Sequence, residues 1–132
     1  MAKRSGKTDS AKKLAIEAAR AAHEGNCEEI LVLDLRGISP VTDYFVIATG
    51  TSDRQMRTIA DDVIRRGRKT GQNVWHVAGK EAGDWIVLDF VDVVVHLFNA
   101  EMRHYYDLEL IWGEAPRVAW RRGTAKTTTR RR

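Results

Sequence analysis

Apolar and polar positions alternate along the chain in patterns that predict eight secondary-structure elements, in the order α-β-β-α-β-β-β-α. Apolar residues that recur every three or four positions are typical of helices, and those that recur every second position are typical of strands. The predicted helices span 10–24, 52–71 and 100–112, and the predicted strands span 28–35, 44–49, 74–78, 85–90 and 93–98. This order predicts the α/β class, with a mixed five-stranded sheet and flanking helices.

The segment 52–71 carries the strongest helix signal. Ser52 followed by Gln55 forms a capping box, in which side chains satisfy free backbone N–H groups at the start of a helix. An apolar stripe follows at helical spacing, formed by Met56, Ile59, Ala60, Val63 and Ile64. The strand 44–49, in contrast, is apolar on both faces, which predicts an interior position in the sheet.

The stretch WIVLDFVDVVVHLF, residues 85–98, is long for one strand and predicts a β-hairpin with Val91 and Asp92 at its turn. One face is then entirely apolar and predicted to be core: Ile86, Leu88, Phe90, Val93, Val95 and Leu97. The other face mixes aromatic and ionisable groups: Trp85, Val87, Asp89, Val94, His96 and Phe98. Such a mixture is typical of an interface centre, although a helix of the same chain is an alternative cover. Val91 is a poor turn residue because β-branched side chains disfavour positive φ, and a bulge here would exchange the two faces.

Charge is segregated along the chain. The sequence has 22 basic and 18 acidic residues, a net charge of +4. Residues 1–10 include three basic residues and one acidic residue, and residues 117–132 include seven basic residues and no acidic one. The remaining segment, 11–116, therefore has 12 basic and 17 acidic residues. A basic tail suits a phosphate backbone, and an acidic body suits a basic protein. A target that offers both RNA and protein fits the whole chain; a tail that only confers solubility is the alternative.

Composition indicates one intracellular domain. The length of 132 residues is typical of a single domain, and 43% hydrophobic residues suffice for a core. The single cysteine, Cys27, excludes an intramolecular disulfide, and the basic N-terminus lacks the apolar segment of a signal peptide. No apolar run approaches the length of a membrane span. We therefore expect a cytoplasmic protein without membrane contact.

The polar residues form no recognised catalytic or metal-binding motif. The four histidines lack metal-ligand spacing with Cys27 or a carboxylate pair, and no P-loop or nucleophile elbow occurs. The turn Gly50-Thr51-Ser52 between a strand and a helix is typical of nucleotidyltransferases, where it can hold phosphate. Those enzymes also need carboxylates on neighbouring strands to bind metal, and no Asp-x-Asp follows here. We expect a degenerate nucleotidyltransferase-like fold without enzymatic activity, metal or cofactor; an active nucleotidyltransferase is the alternative.

Two long segments together resemble the Iojap family, which contains the ribosomal silencing factor RsfS. They are SPVTDYFVIATGTSDRQMRTIADDV, residues 39–63, and GDWIVLDFVDVVVHLFNAEMRHYYDLELIW, residues 83–112. The resemblance covers roughly residues 10–114. It implies a degenerate nucleotidyltransferase-like α/β fold, often present as a dimer.

The resemblance implies a non-enzymatic factor that binds ribosomal protein fourteen of the large ribosomal subunit. Binding there blocks joining of the small subunit and lowers translation when nutrients are scarce, whereas relatives in organelles assist large-subunit assembly. The interface residues carried over from the family are Trp85, Asp89, Asp92, His96, Arg103, Tyr105 and Tyr106. For the last three, docking of the terminal helix is the preferred alternative, and a strand-end histidine such as His96 is more often structural than catalytic.

The chain is predicted to divide into a disordered basic N-terminus (1–9), an α/β domain (10–114) and a basic, disordered tail (115–132). Two features depart from the family pattern: Val91, where a small turn residue is usual, and the tail from Arg117. We expect the tail to anchor the protein on ribosomal RNA. Its basic residues are Arg121, Arg122, Lys126, Arg130, Arg131 and Arg132.

Overall fold

A computed structural model describes the backbone of residues 2–106 and 114–121 and the side chains of residues 10–104 and 114–121. In chain order the elements are α1 (Ala2–Glu24), β1 (Glu28–Asp34), β2 (Tyr44–Gly50), α2 (Asp53–Lys69), β3 (His76–Ala78), β4 (Trp85–Asp89), β5 (Val93–Asn99) and α3 (Ala100–Tyr106). The predicted order is confirmed. In the part of the chain that the structure describes, no helix is long and apolar enough to cross a membrane.

The helix boundaries differ from the predicted ones at both ends of the domain. Helix α1 begins at Ala2, whereas we predicted a disordered segment over 1–9 and a helix from 10. Residues 2–9 contain no proline, so nothing in them obliges the helix to stop. Asn99 caps α3 as an acceptor for the Met102 N–H (2.8 Å), and the predicted remainder of this helix over 107–112 lies outside the described residues.

The five strands form one mixed sheet in the order β1-β2-β5-β4-β3. Strands β2 and β5 are parallel neighbours, and the other neighbouring strands are antiparallel. Strand β2 lies between β1 and β5, which confirms the interior position predicted from its two apolar faces. The structure therefore confirms the predicted α/β class with a mixed five-stranded sheet and flanking helices.

The β4–β5 hairpin has the predicted register. Trp85 lies opposite Phe98, and Asp89 lies opposite Val94. The face predicted to be core is buried beneath α1 and α2, and it consists of Ile86, Leu88, Phe90, Val93, Val95 and Leu97. The opposite face is therefore the mixed aromatic and ionisable one.

The hairpin turn is a γ-turn centred on Val91. Val91 has a φ of +75°, and the Asp92 N–H donates to the Phe90 carbonyl (2.9 Å). The Asp89 side chain supports this turn by accepting a hydrogen bond from the Val91 N–H (2.7 Å). The predicted faces are thus kept without a bulge, at the cost of an unfavourable backbone conformation for a β-branched residue.

Helices α1 and α2 cover one face of the sheet. At the start of α2, the Ser52 side chain accepts from the Gln55 N–H (3.0 Å), and the Gln55 side-chain oxygen accepts from the Thr51 N–H (2.6 Å). The capping box is therefore present, although Gln55 reaches the residue before the cap. Four residues of the predicted stripe are fully packed: Met56, Ile59, Ala60 and Val63.

Residues 114–121 pack along the outer edge of β1, whereas we predicted a domain boundary at 114 and a disordered tail from 115. The Asp34 N–H donates to the Pro116 carbonyl (2.8 Å), and the Val118 N–H donates to the Val32 carbonyl (2.8 Å). A covered edge strand is protected against pairing with other chains. The basic composition of the tail gives no sign of these backbone hydrogen bonds, because they do not depend on the side chains.

Candidate functional site

An aromatic cluster lies on the sheet face opposite α1 and α2. It consists of Phe45 from β2, Trp85 from β4, and His96 and Phe98 from β5. The ring centroid of His96 lies 4.7 Å from that of Phe45 and 5.8 Å from that of Phe98, and those of Trp85 and Phe98 are 4.9 Å apart at 70°. Edge-to-face contacts of this kind stabilise aromatic pairs beyond their area burial. We call these four residues the aromatic cluster.

His96 holds the indole of Trp85. The Trp85 Nε1–H donates to His96 Nδ1 (3.2 Å). Because an indole only donates, Nδ1 must accept, and the neutral imidazole carries its proton on Nε2. His96 is only 8% exposed, and this burial lowers its pKa to about 4 despite the opposing charge of Asp89. Its geometry fits the structural alternative, in which His96 positions Trp85 and does not itself touch a ligand.

Two carboxylates stand at the hairpin end of the same region. The side chains of Asp89 and Asp92 are partly exposed. Asp89 uses Oδ1 to hold the turn. The Asp92 carbonyl accepts from the N–H groups of Asp43 and Tyr44 (3.0 Å each), which ties the hairpin turn to the start of β2. The backbone that carries both carboxylates is therefore held in place by hydrogen bonds.

Among the predicted interface residues of α3, Arg103 is buried. Arg103 is 6% exposed, and its guanidinium donates to the Glu29 carbonyl (2.6 Å) and to Thr49 Oγ1 (2.9 Å). These bonds dock α3 onto β1 and β2, as the alternative interpretation expects. The side chains of Tyr105 and Tyr106, at the end of α3, lie outside the described residues.

The tail is described as far as Arg121. Its guanidinium lies 4.8 Å from the ring centroid of Trp120, a cation–π contact. Trp120 is buried: its ring lies 5.4 Å from that of His23, and its carbonyl accepts from Arg20 Nε (2.8 Å). The other predicted anchors, Arg122, Lys126, Arg130, Arg131 and Arg132, lie outside the described residues.

Sequence reasoning missed Phe45 as a member of the aromatic cluster. Phe45 pairs with Val94 across the parallel β2–β5 ladder, which brings it beside His96. Its alternation within strand 44–49 places it on one face, but only the strand order identifies which residues share that face.

The turn Gly50-Thr51-Ser52 is committed to packing and capping. The N–H groups of Thr51 and Gln55 already donate to side chains, so they are not available to a phosphate. A Cβ on Gly50 would lie 2.2 Å from Met56 Cγ, which explains the glycine by close packing. Within residues 10–104 and 114–121, no group of His, Cys, Asp and Glu side chains could hold a metal ion.

Cys27 is a buried thiol. Desolvation, with a smaller contribution from Glu28, raises its pKa to about 11. A thiol with so high a pKa is largely protonated at neutral pH and therefore a poor nucleophile.

The fold and the site define a class of small α/β proteins in which two helices cover one face of a mixed sheet and an aromatic cluster occupies the other. Two solved structures share this fold. A crystal structure of a Chromobacterium violaceum protein matches with a TM-score of 0.71 at 32% identity, covering 89% of this chain and 95% of that one. A structure from Bacillus halodurans matches with a TM-score of 0.67 at 33% identity, covering 81% and 94%.

The chain belongs to the RsfS family, described as "Ribosomal silencing factor during starvation", whose family model matches residues 8–132. It is 42% identical over 99 residues to the ribosomal silencing factor RsfS of Bacillus subtilis, covering 75% of this chain and 84% of that one. It is also 33% identical over 90 residues to a mouse protein named "Mitochondrial assembly of ribosomal large subunit protein 1", covering 66% of this chain and 40% of the relative. The resemblance to the Iojap family is thereby confirmed.

Proposed function

We propose that this protein binds the large ribosomal subunit through ribosomal protein fourteen, blocks joining of the small subunit by its bulk, and represses translation when nutrients are scarce. Membership of the RsfS family supports the ribosomal target. The observation that carries the binding surface is Trp85, which is partly exposed, is held by His96 and begins the strand that ends at Asp89. We propose a binding role without catalysis.

A fixed tryptophan suits this role for a physical reason. Binding usually costs free energy because side chains lose rotamer freedom, and a side chain that is already held loses less. The hydrogen bond to His96 and the contact with Phe98 restrain Trp85 before any partner arrives. Asp89 and Asp92 add negative charge at the turn end of the same hairpin, which favours a basic protein surface.

The test is co-sedimentation of the full chain with purified large subunits, followed by addition of small subunits. We expect the protein to travel with large subunits and to reduce the amount of joined ribosomes. Trp85→Ala should weaken binding by roughly tenfold or more, as for a central interface tryptophan. Trp75→Ala is the matched control, because Trp75 is 72% exposed and lies outside the aromatic cluster. Equal binding by both variants, each still folded by thermal unfolding, would contradict the proposed surface.

The contribution of charge can be separated from that of the turn. Asp89→Asn removes the negative charge and keeps a side-chain oxygen for the Val91 N–H. We expect this variant to bind large subunits more weakly, with the difference shrinking as salt is added. A loss that does not depend on salt would indicate a role in the turn and not in the contact.

A role in large-subunit assembly is the second candidate, favoured by the name of the mouse relative. The same surface would serve both roles, so the two differ in timing. Depletion of the protein in growing cells distinguishes them: accumulation of immature large subunits indicates assembly. Normal subunits with excess joining during starvation indicate silencing.

We also propose that the basic tail anchors the protein on ribosomal RNA, with Arg121 and the basic residues after it. The truncated chain that tests this should keep Arg121 as its last residue and lack 122–132. Removal of 117–132 would also remove the buried Trp120. We expect the truncated chain to bind large subunits more weakly at low salt and with a smaller salt dependence. An unchanged affinity and salt dependence would refute the anchor.

A further inference from the structure

A basic groove runs between α1 and α2, on the side of the molecule opposite the aromatic cluster. It has a volume of about 640 Å³. Its charged lining consists of Lys13, Arg20, Arg65, Arg66, Lys69 and the single acid Glu17. Residues 11–116 have only 12 basic residues against 17 acidic ones, so five of those 12 cations meet in one groove of an otherwise acidic body.

Arg66 forms the floor of this groove and crosses from α2 to α1. Its guanidinium contacts Glu17 (3.1 Å) and Glu24 (2.6 Å) on α1 and Asp62 (3.1 Å) on its own helix. Three carboxylates therefore offset its charge. Arg66 fixes the spacing of the two helices and is not the group that attracts a ligand.

The unbalanced charge lies on two lysines, one on each wall. Lys13 on α1 and Lys69 on α2 are exposed, and neither forms an ion pair or side-chain hydrogen bond with a described residue. Arg20 and Arg65 also line the groove, but each is paired with a carboxylate: Arg20 with Glu17 (3.7 Å) and Arg65 with Asp62. Like charges on opposite walls raise the local potential and attract anions into the space between them.

The described start of the basic tail lies at the same wall. Arg20 Nε donates to the Trp120 carbonyl (2.8 Å), so the chain enters the tail beside a residue that lines the groove. Arg121 follows at once and is exposed. Arg121, the last described residue of the tail, thus lies close to the basic groove.

We infer that this groove binds the phosphate backbone of RNA. The inference rests on the proposed function, which brings the chain to an RNA-rich particle. A groove with a lysine on each wall suits a phosphate backbone, and lysines contact phosphates without reading sequence. The protein then has two contacts of different chemistry: the aromatic cluster for protein on one side and the groove for RNA on the other.

The experiment measures binding of the full chain to a labelled 20-base-pair RNA duplex by fluorescence anisotropy over a range of salt concentrations. The test variant is Lys13→Ala with Lys69→Ala. The matched control is Lys12→Ala with Arg54→Ala, which removes the same net charge from two exposed residues outside the groove. Binding to isolated ribosomal protein fourteen is measured in parallel for both.

We expect the groove variant to bind RNA roughly fivefold or more weakly than the wild type. The slope of log affinity against log salt concentration should become shallower by about 1.8, because each of the two lost phosphate contacts contributes about 0.9. The control should lose less than about twofold, as should binding of either variant to the ribosomal protein. No RNA binding by the wild type, or equal losses in both variants, would overturn the groove as an RNA site. Failure of the Trp85→Ala test with a positive groove result would instead refute the proposed protein contact alone.

Discussion

Acid should destabilise this protein through His96. In the folded chain burial lowers the pKa of His96 to about 4, whereas its ordinary value is 6.5. The unfolded chain therefore binds a proton at pH values where the folded chain does not, and stability rises with pH. The contribution of neutral His96 to the free energy of unfolding is present above pH 6.5 and is lost as the pH falls from there towards 4. The two pKa values correspond to a loss of about 2.5 kcal/mol between about pH 7.5 and about pH 4.5.

The assay is urea unfolding followed by tryptophan fluorescence at several pH values in this window. His96→Asn is the comparison, because asparagine has no titration here and offers an oxygen near the position of Nδ1 for the Trp85 N–H. The variant will be less stable at pH 7 because it loses ring contacts with Phe45 and Phe98. The informative quantity is the change in unfolding free energy with pH, which should be shallower in the variant.

Comparing the two proteins also cancels the contribution of other acid-sensitive groups to the pH dependence of stability. Hydrogen bonding to Arg36 lowers the pKa of Asp34, so this carboxylate also loses stabilisation in acid, and it does so in both proteins. Equal pH dependence in wild type and His96→Asn would refute the reasoning, since His96 would then titrate as an exposed histidine does. NMR titration of the His96 ring measures its pKa directly.

Three further substitutions test the packing in urea unfolding. Val91→Gly should stabilise the protein by about 1 kcal/mol, because glycine adopts the φ of +75° without strain; a loss of stability would show that the valine side chain packs favourably. Gly79→Ala should destabilise by more than about 2 kcal/mol, since its φ is +85° and a Cβ would lie 1.9 Å from the Trp85 carbonyl oxygen; a neutral effect would exclude this contact. Trp120→Ala should cost about 3 kcal/mol if residues 114–121 belong to the domain, and an unchanged stability would restore the boundary at 114.

Features that depend on local pattern were predictable from the sequence. The hairpin register follows from alternation over 14 consecutive residues, because a slip of one residue would place every apolar side chain of one face in solvent. The cap at Ser52 and the stripe of α2 likewise require only residues within a few turns of one helix. In these segments the local preference and the tertiary structure agree.

Features that depend on strand order or on distant contacts were not predictable. Phe45 joins the aromatic cluster only because β2 pairs with β5, and Arg20 meets the Trp120 carbonyl across 100 positions of sequence. The basic groove has the same origin, since its cations come from two helices that pack together only in the folded chain. Net charge counted along the sequence conceals such a cluster, because acidic residues elsewhere outweigh it.

The packing of the aromatic cluster and its proposed contact with a partner must be separated by mutation. Trp85 is a candidate contact and also part of the packing beneath it, so loss of binding in Trp85→Ala has two explanations. Asp89 has the same double character, because its Oδ1 holds the turn while its charge faces solvent. Asp89→Asn changes the charge and keeps the hydrogen bond, and His96→Leu removes the acceptor of the Trp85 Nε1–H and leaves the exposed surface of Trp85 in place. If both weaken binding, the contact depends on a charged surface and on a tryptophan that is held in place.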